Sequence, residues 1–122
     1  MVNTIKMTIQ QIATAFSCGE FDKVYPYMAD DINWDIVGEN SFTGKEAVVG
    51  NCQQVAAYFQ TVTTHFQTNH TIVDNNQVAI NGTAEFIKDG KRVAYVWACD
   101  VYQFNDQHQL EQITSYCIQA KP

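Results

Sequence analysis

The sequence predicts an α+β domain: a cone-shaped, curved antiparallel sheet with N-terminal helices packed on its concave face. Three observations lead there. Apolar residues recur at helical spacing only in the first half of the chain. From about residue 61 onward, β-type runs separated by hairpin signals take over. Those runs exceed the usual length of roughly five or six residues, so they must twist and curl. A curled sheet closed at one end by helices encloses an interior. The chain has 122 residues, 46% of them hydrophobic, which suits one domain over 1–122 with a real core.

The first element is an amphipathic helix. Ile5, Ile9, Ile12, Ala13 and Phe16 share one face, and Gly19 follows as a C-terminal cap. A short second helical piece carries Phe21, Val24, Tyr25, Tyr27 and Met28, with Pro26 forcing a break or a fresh first turn. Asp30 and Asp31 end this region. Residues 32–37 read as a strand and Gly38-Glu39-Asn40 as a turn. Thr43 and Glu46 fit a capping box, with Thr43 as N-cap. The helix it opens presents Val48, Cys52, Val55 and Phe59 as a buried stripe. Three hairpin turns follow, at Asp74-Asn75-Asn76, Asp89-Gly90 and Asn105-Asp106-Gln107. Asp89-Gly90 is the strongest of these, because glycine accepts the positive φ of a type I′ turn. Asn81-Gly82 marks a bulge where one strand bends.

Composition excludes several functions. Net charge is −6, with a single arginine and six lysines, so no basic patch tracks a nucleic acid backbone. Bidentate arginine clamps on phosphate or carboxylate are excluded for the same reason. No apolar run is long enough to cross a bilayer, and no membrane partner is expected. Met1 to Phe16 lacks the apolar core of a secretory signal. Cys18, Cys52, Cys99 and Cys117 are too widely spaced for a metal knuckle or redox motif. They read as free thiols in a reducing, cytoplasmic setting, where the sequons at Asn69 and Asn81 carry no weight. The charged fraction of 16% is low for a soluble domain, which points to partner-covered surface. A homodimer is expected, packed through the outer face of the long strands, where Tyr95, Trp97 and Val101 need cover.

Two aspartates stand in apolar strand sequence: Asp35 in Asn33-Trp34-Asp35-Ile36-Val37-Gly38 and Asp100 in Trp97-Ala98-Cys99-Asp100-Val101-Tyr102. Burying a carboxylate as an anion is costly. Each is therefore hydrogen-bonded, protonated, turned to solvent, or facing a pocket where that cost serves chemistry. Strand alternation puts Trp34 and Asp35 on opposite faces, so only one of them points into the cone. The plain alternative for Asp100 is a carboxylate satisfied by a tyrosine hydroxyl or a backbone amide. His65 and His70 are five apart on one predicted strand, so they face opposite sides and share no metal. His108 falls in a hairpin. No ligand triplet for a metal is present, and no cofactor is called for. Cysteine nucleophiles are disfavoured, since Cys52 lies on a buried stripe and Cys99 and Cys117 lie in strands.

The order helix, short helix, strand, helix and four antiparallel strands resembles the nuclear transport factor 2-like superfamily across essentially the whole chain. The SnoaL-like polyketide cyclases and ketosteroid isomerases are similar to it. Phe16-Ser17-Cys18-Gly19-Glu20-Phe21-Asp22 resembles the family's junction between helices. Ala29-Asp30-Asp31, Asp35-Ile36-Val37-Gly38 and Phe42-Thr43-Gly44-Lys45-Glu46-Ala47 resemble its first strand and the following helix. Cys99-Asp100-Val101-Tyr102-Gln103-Phe104-Asn105 resembles its penultimate strand. The fold hosts many chemistries, so the resemblance speaks more to architecture than to activity.

The resemblance implies that Asp35 falls where the ketosteroid isomerases keep their general base. It implies that Asp100 falls where they keep a protonated oxyanion-hole aspartic acid. Their tyrosine on the first helix falls on Ile12, leaving Tyr25, Tyr27, Tyr58, Tyr102 or Tyr116 as sources of a phenol. The reaction so implied is cofactor-independent proton transfer α to a carbonyl of a small apolar substrate, by an isomerase or cyclase. Trp34, Tyr27, Trp97, Tyr102, Phe104 and Tyr116 are the expected binding wall. Epoxide opening by an Asp-Arg-Asp set would need a buried arginine, whereas Arg92 sits beside the Asp89-Gly90 turn. The alternative class is a non-enzymatic small-molecule-binding or dimerisation module of the same fold.

Overall fold

The computed structural model describes residues 6–121. Ile5, the first residue of the expected apolar stripe, lies outside them. Helix α1 spans Ile9–Ser17 and begins in a reciprocal capping box. The backbone amide of Gln11 donates to Thr8 Oγ1 at 3.1 Å, and the amide of Thr8 donates to Gln11 Oε1 at 2.8 Å. Ile12, Ala13, Ala15 and Phe16 form its buried face. The helix ends as expected at Gly19, whose φ of +78° suits glycine. The amides of Gly19 and Glu20 donate to the carbonyls of Phe16 and Ala15, the paired closure of a Schellman motif. Two single 3₁₀ turns follow, at Phe21–Lys23 and Tyr25–Tyr27, with Pro26 opening the second.

Strand β1, Met28–Ile36, starts four residues earlier than the apolar pattern suggested. Asn40–Thr43, expected as a turn and a helix cap, forms a short strand β2 that pairs with β1. The capping box at Thr43 is therefore not made. Thr43 Oγ1 donates instead to Asn33 Oδ1 at 2.9 Å. Helix α2, Lys45–Phe59, starts from Gly44 at φ +92° with no side-chain cap. Val48 and Cys52 are its fully buried residues.

Strands β3 (Thr63–Asp74), β4 (Gln77–Lys88), β5 (Lys91–Phe104) and β6 (Leu110–Gln119) form the expected antiparallel meander. The Asp89-Gly90 hairpin carries positive φ at both residues. The whole sheet has the order β2-β1-β6-β5-β4-β3. It is mixed rather than wholly antiparallel, because β1 runs parallel to β6. β1 reaches the meander through a helical crossover, so no hairpin sets its direction.

The expected bulge lies across the ladder from Asn81-Gly82. Thr68 opposes Gly82 and His70 opposes Asn81, leaving Asn69 as the extra residue in β3. Gly82 is what permits this close approach: a Cβ there would lie 2.1 Å from the Gln67 carbonyl oxygen. The bulge also corrects the histidine expectation. His65 opposes Glu85 and His70 opposes Asn81, which are four apart on β4, so both histidines share the outer face. His70 Nδ1 lies 3.0 Å from Asn81 Oδ1. No cluster of three metal-ligating side chains occurs among the described residues.

Helix α1 packs on β4 and β5, and α2 packs against β1 and β2, so both cover the inner face of the curved sheet. The tightest core lies where these layers meet, around Ile12, Val24, Ile32, Tyr102, Leu110 and Ile113. Among the described residues no helix is long and apolar enough to cross a membrane.

Candidate functional site

The inner face of the sheet does not fill completely. Small residues on β5 (Ala94, Val96 and Ala98) leave room that the aromatic side chains of α1, α2 and β4 do not occupy. The result is a cavity of about 460 Å³ opening to solvent. Its size is within the range of about 300–1,000 Å³ typical of small-molecule sites. Aromatic rings form most of its wall. Phe59 is central, with its ring centroid 5.6 Å from Phe66, 5.7 Å from Phe86 and 6.1 Å from Phe21. Phe16 stands edge-on to Trp34 at 5.0 Å.

Polar groups converge at one place in this apolar surface, the floor, and Asp100 is their centre. Ser17, the last residue of α1, donates its hydroxyl to Asp100 Oδ2 at 2.9 Å. The Tyr102 hydroxyl lies 2.6 Å from the same Ser17 oxygen. With the serine hydrogen committed to the carboxyl group, the tyrosine is the donor in that second bond. On the other side, Ser115 faces Asp100 directly across the β5–β6 ladder, where its hydroxyl favours the charged form of the carboxyl group. Trp34 Nε1 in turn donates to Ser115 Oγ at 3.0 Å. Two hydroxyls thus flank one carboxyl group: Ser17, in relay with Tyr102, and Ser115, which Trp34 holds. Each donor in a relay strengthens the next.

Asp100 keeps an accessible edge on the cavity while protein surrounds its remaining sides. Burial pushes its carboxyl pKa up, against the hydroxyls of Ser115, Ser17 and Tyr102, which pull it down. Burial and the Asp100 charge together hold the Tyr102 phenol well above its ordinary range. Cys117 also lines the cavity, and burial pushes its thiol up to about 11. It is a neutral wall group rather than a nucleophile. Glu39, in the turn between β1 and β2, stands at the rim.

Of the eight residues singled out from sequence, Asp100 and Trp34 line this cavity, and Tyr102 lies directly behind its floor. The other five are elsewhere. Asp35 does not line it: Trp34 is 6% exposed and turned inward, so alternation turns Asp35 to the outer face beside Thr114. Trp97 and Tyr116, both 49% exposed, lie on that outer face as well. Phe104 is packed in the closed core. Tyr27 accepts a hydrogen bond from the Met7 amide at 3.1 Å and closes the start of α1. Arg92 is bound to Glu85 at 2.6 Å and lies over the Tyr95 ring, outside the cavity. Sequence reasoning did not single out Ser17, Ser115 or Glu39. Ser17 carried a faint signal as a hydroxyl closing an otherwise apolar helix face.

With the fold and cavity defined, their counterparts can be compared. Residues 9–112 match the SnoaL-like domain family, and the chain belongs to it. A nuclear transport factor 2-like protein of unknown function from Cytophaga hutchinsonii is 33% identical. That match covers 88% of this chain and 93% of the other, with a TM-score of 0.79. An LEH-like epoxide hydrolase of Mycobacterium tuberculosis is 18% identical over 90% of this chain and 82% of its own, with a TM-score of 0.67. A provisionally described SnoaL-like polyketide cyclase from Jannaschia sp. CCS1 is 10% identical over 94% and 91%, with a TM-score of 0.70. These last two share the fold alone. No functionally curated protein matches the sequence.

Proposed function

We propose that the cavity binds a small, mostly apolar carbonyl compound and that Asp100 exchanges a proton at the carbon beside that carbonyl, as an isomerase or cyclase would. The observation that carries this reading is a largely buried carboxyl group, bonded by Ser17 and flanked by Ser115, at the floor of an aromatic cavity. A raised carboxyl is a stronger base than a solvated one, and once protonated it donates to the developing enolate oxygen. Asp35 lies on the other face, so one group must both take and return the proton. No metal or organic cofactor has a part in this scheme.

A non-catalytic binding module is the second reading, favoured by the absence, among the described residues, of a second carboxyl group beside Asp100. Deuterium exchange into 2-tetralone, followed by proton NMR in D2O, separates the two. The parent protein should accelerate exchange, and Asp100→Asn should lose that acceleration by about a hundredfold or more. Equal rates with and without the parent protein, or an unchanged rate in the variant, would leave binding alone.

The outer face supports the homodimer reading: Trp97, Tyr116, Ile118 and Val93 are all exposed there, on or beside the β5–β6 ladder. Such a patch calls for a partner surface, here a second copy. The four cysteines are unbridged, which supports a reducing, cytoplasmic setting.

A further inference from the structure

The ionisable groups of the cavity are all acids, none of which can carry a positive charge. Among the described residues its lining holds two carboxyl groups, Asp100 at the floor and Glu39 at the rim, with the thiol of Cys117 and the phenol of Tyr58. No lysine, arginine or histidine lines it. Arg92, the only arginine in the chain, is held on the outer face by Glu85. Lys23, which follows α1, is paired with Glu20 at 2.6 Å. The rest of the wall is aromatic and aliphatic, and aromatic faces are themselves negative. The whole chain carries −6, and a cleft with low-dielectric walls focuses such a field.

We propose that this cavity selects its ligand by charge. It admits uncharged and cationic apolar molecules, prefers amines whose ammonium sits at Glu39 over the aromatic wall, and rejects carboxylates and phosphates. The proposal rests on the reading of the cavity as the ligand site and adds the class of molecule it takes. An anion placed there meets no counter-charge, loses its water and faces a carboxyl group at either end. A cation meets Glu39 at the rim, where water still screens the pair, so its advantage over a neutral ligand is modest.

Three molecules of one skeleton test this by calorimetric titration at neutral pH: 2-acetylnaphthalene, 2-(aminomethyl)naphthalene and 2-naphthoate. The ketone and amine should bind, with 2-naphthoate weaker than the ketone by about tenfold or more. Glu39→Gln should reduce the amine's affinity by about two- to fivefold and leave the ketone unchanged. Added salt should weaken the amine alone. Glu39 is in an exposed turn, so its replacement leaves the core intact.

Binding of 2-naphthoate as tight as that of the ketone would overturn the charge selection while leaving the Asp100 reaction standing. An amine response that ignores Glu39→Gln would remove Glu39 from the recognition. Failure of all three molecules to bind would overturn both this selection and the cavity as a ligand site. Loss of deuterium exchange in Asp100→Asn is read separately and bears on the reaction alone.

Discussion

Trp34 and Trp97 are the two tryptophans of this chain, and the sheet sends them to opposite sides. Trp34 is 6% exposed, packs on Phe16 and holds Ser115 through its ring nitrogen. Trp97 is 49% exposed and leans edge-on against Tyr95 at 5.4 Å. Two aspartates divide the same way, Asp100 to the cavity and Asp35 to the outer face. Residue type alone therefore says little about role in a strand of this kind. Which side of the pleat the residue occupies decides whether it joins a shared polar network or meets solvent.

The largest expected difference between the faces is in stability. Trp34→Ala removes a packed ring and strands Ser115, and should cost about 3–5 kcal/mol in urea unfolding. Trp97→Ala, on the outer face, should cost about 1 kcal/mol or less in the same measurement. Similar costs for the two would erase the distinction drawn here.

Gly82→Ala probes the geometry that shapes the inner face. Its Cβ would meet the Gln67 carbonyl oxygen at 2.1 Å, so the bulged β3 strand must shift. A loss of about 2 kcal/mol or more is expected, together with faster amide exchange along residues 66–70. An unchanged unfolding midpoint would mean that the bulge relaxes freely.

A smaller effect concerns pH. Burial raises the folded-state pKa of Asp100 above its ordinary value of 3.8. The fold is then favoured by the protonated group. That contribution is complete below 3.8 and is lost as pH rises through the raised value. Asp100→Asn lacks this loss, so the stability of the variant relative to the parent should increase with pH across that window. Urea midpoints at stepped pH values check it, and a constant or shrinking difference would count against it.

The smallest effect on folding, though not on assembly, belongs to Tyr116→Lys on the outer face. Its unfolding midpoint should move little, while sedimentation velocity should show the monomer where the parent shows the dimer. A parent that sediments as a monomer would leave the outer face uncovered.

Much of the architecture was legible because it is written in local patterns. The periodicity of α1, the glycine that ends it and the Asp89-Gly90 hairpin each depend on neighbours in sequence. The misreadings depend on partners far along the chain. Asn40–Thr43 reads as turn and cap until β1 lies beside it. His65 and His70 read as opposed until the bulge opposite Gly82 shifts their parity. The candidate site was half legible for the same reason. Asp100 stands out as a charge in apolar sequence. Its partner Ser17 lies 83 residues away, and nothing local marks the contact. At Trp34-Asp35, alternation states that one side chain points inward, and the burial preference of the larger apolar group decides which.

The most direct test is a carbon-detected NMR titration that follows the side-chain carboxyl of Asp100. The account predicts a midpoint clearly above 3.8, and predicts that Ser17→Ala together with Ser115→Ala moves it higher still by removing the hydroxyls that favour the charged form. A midpoint at or below 3.8 in the parent would contradict the central claim that this acid is sequestered from water at the cavity floor.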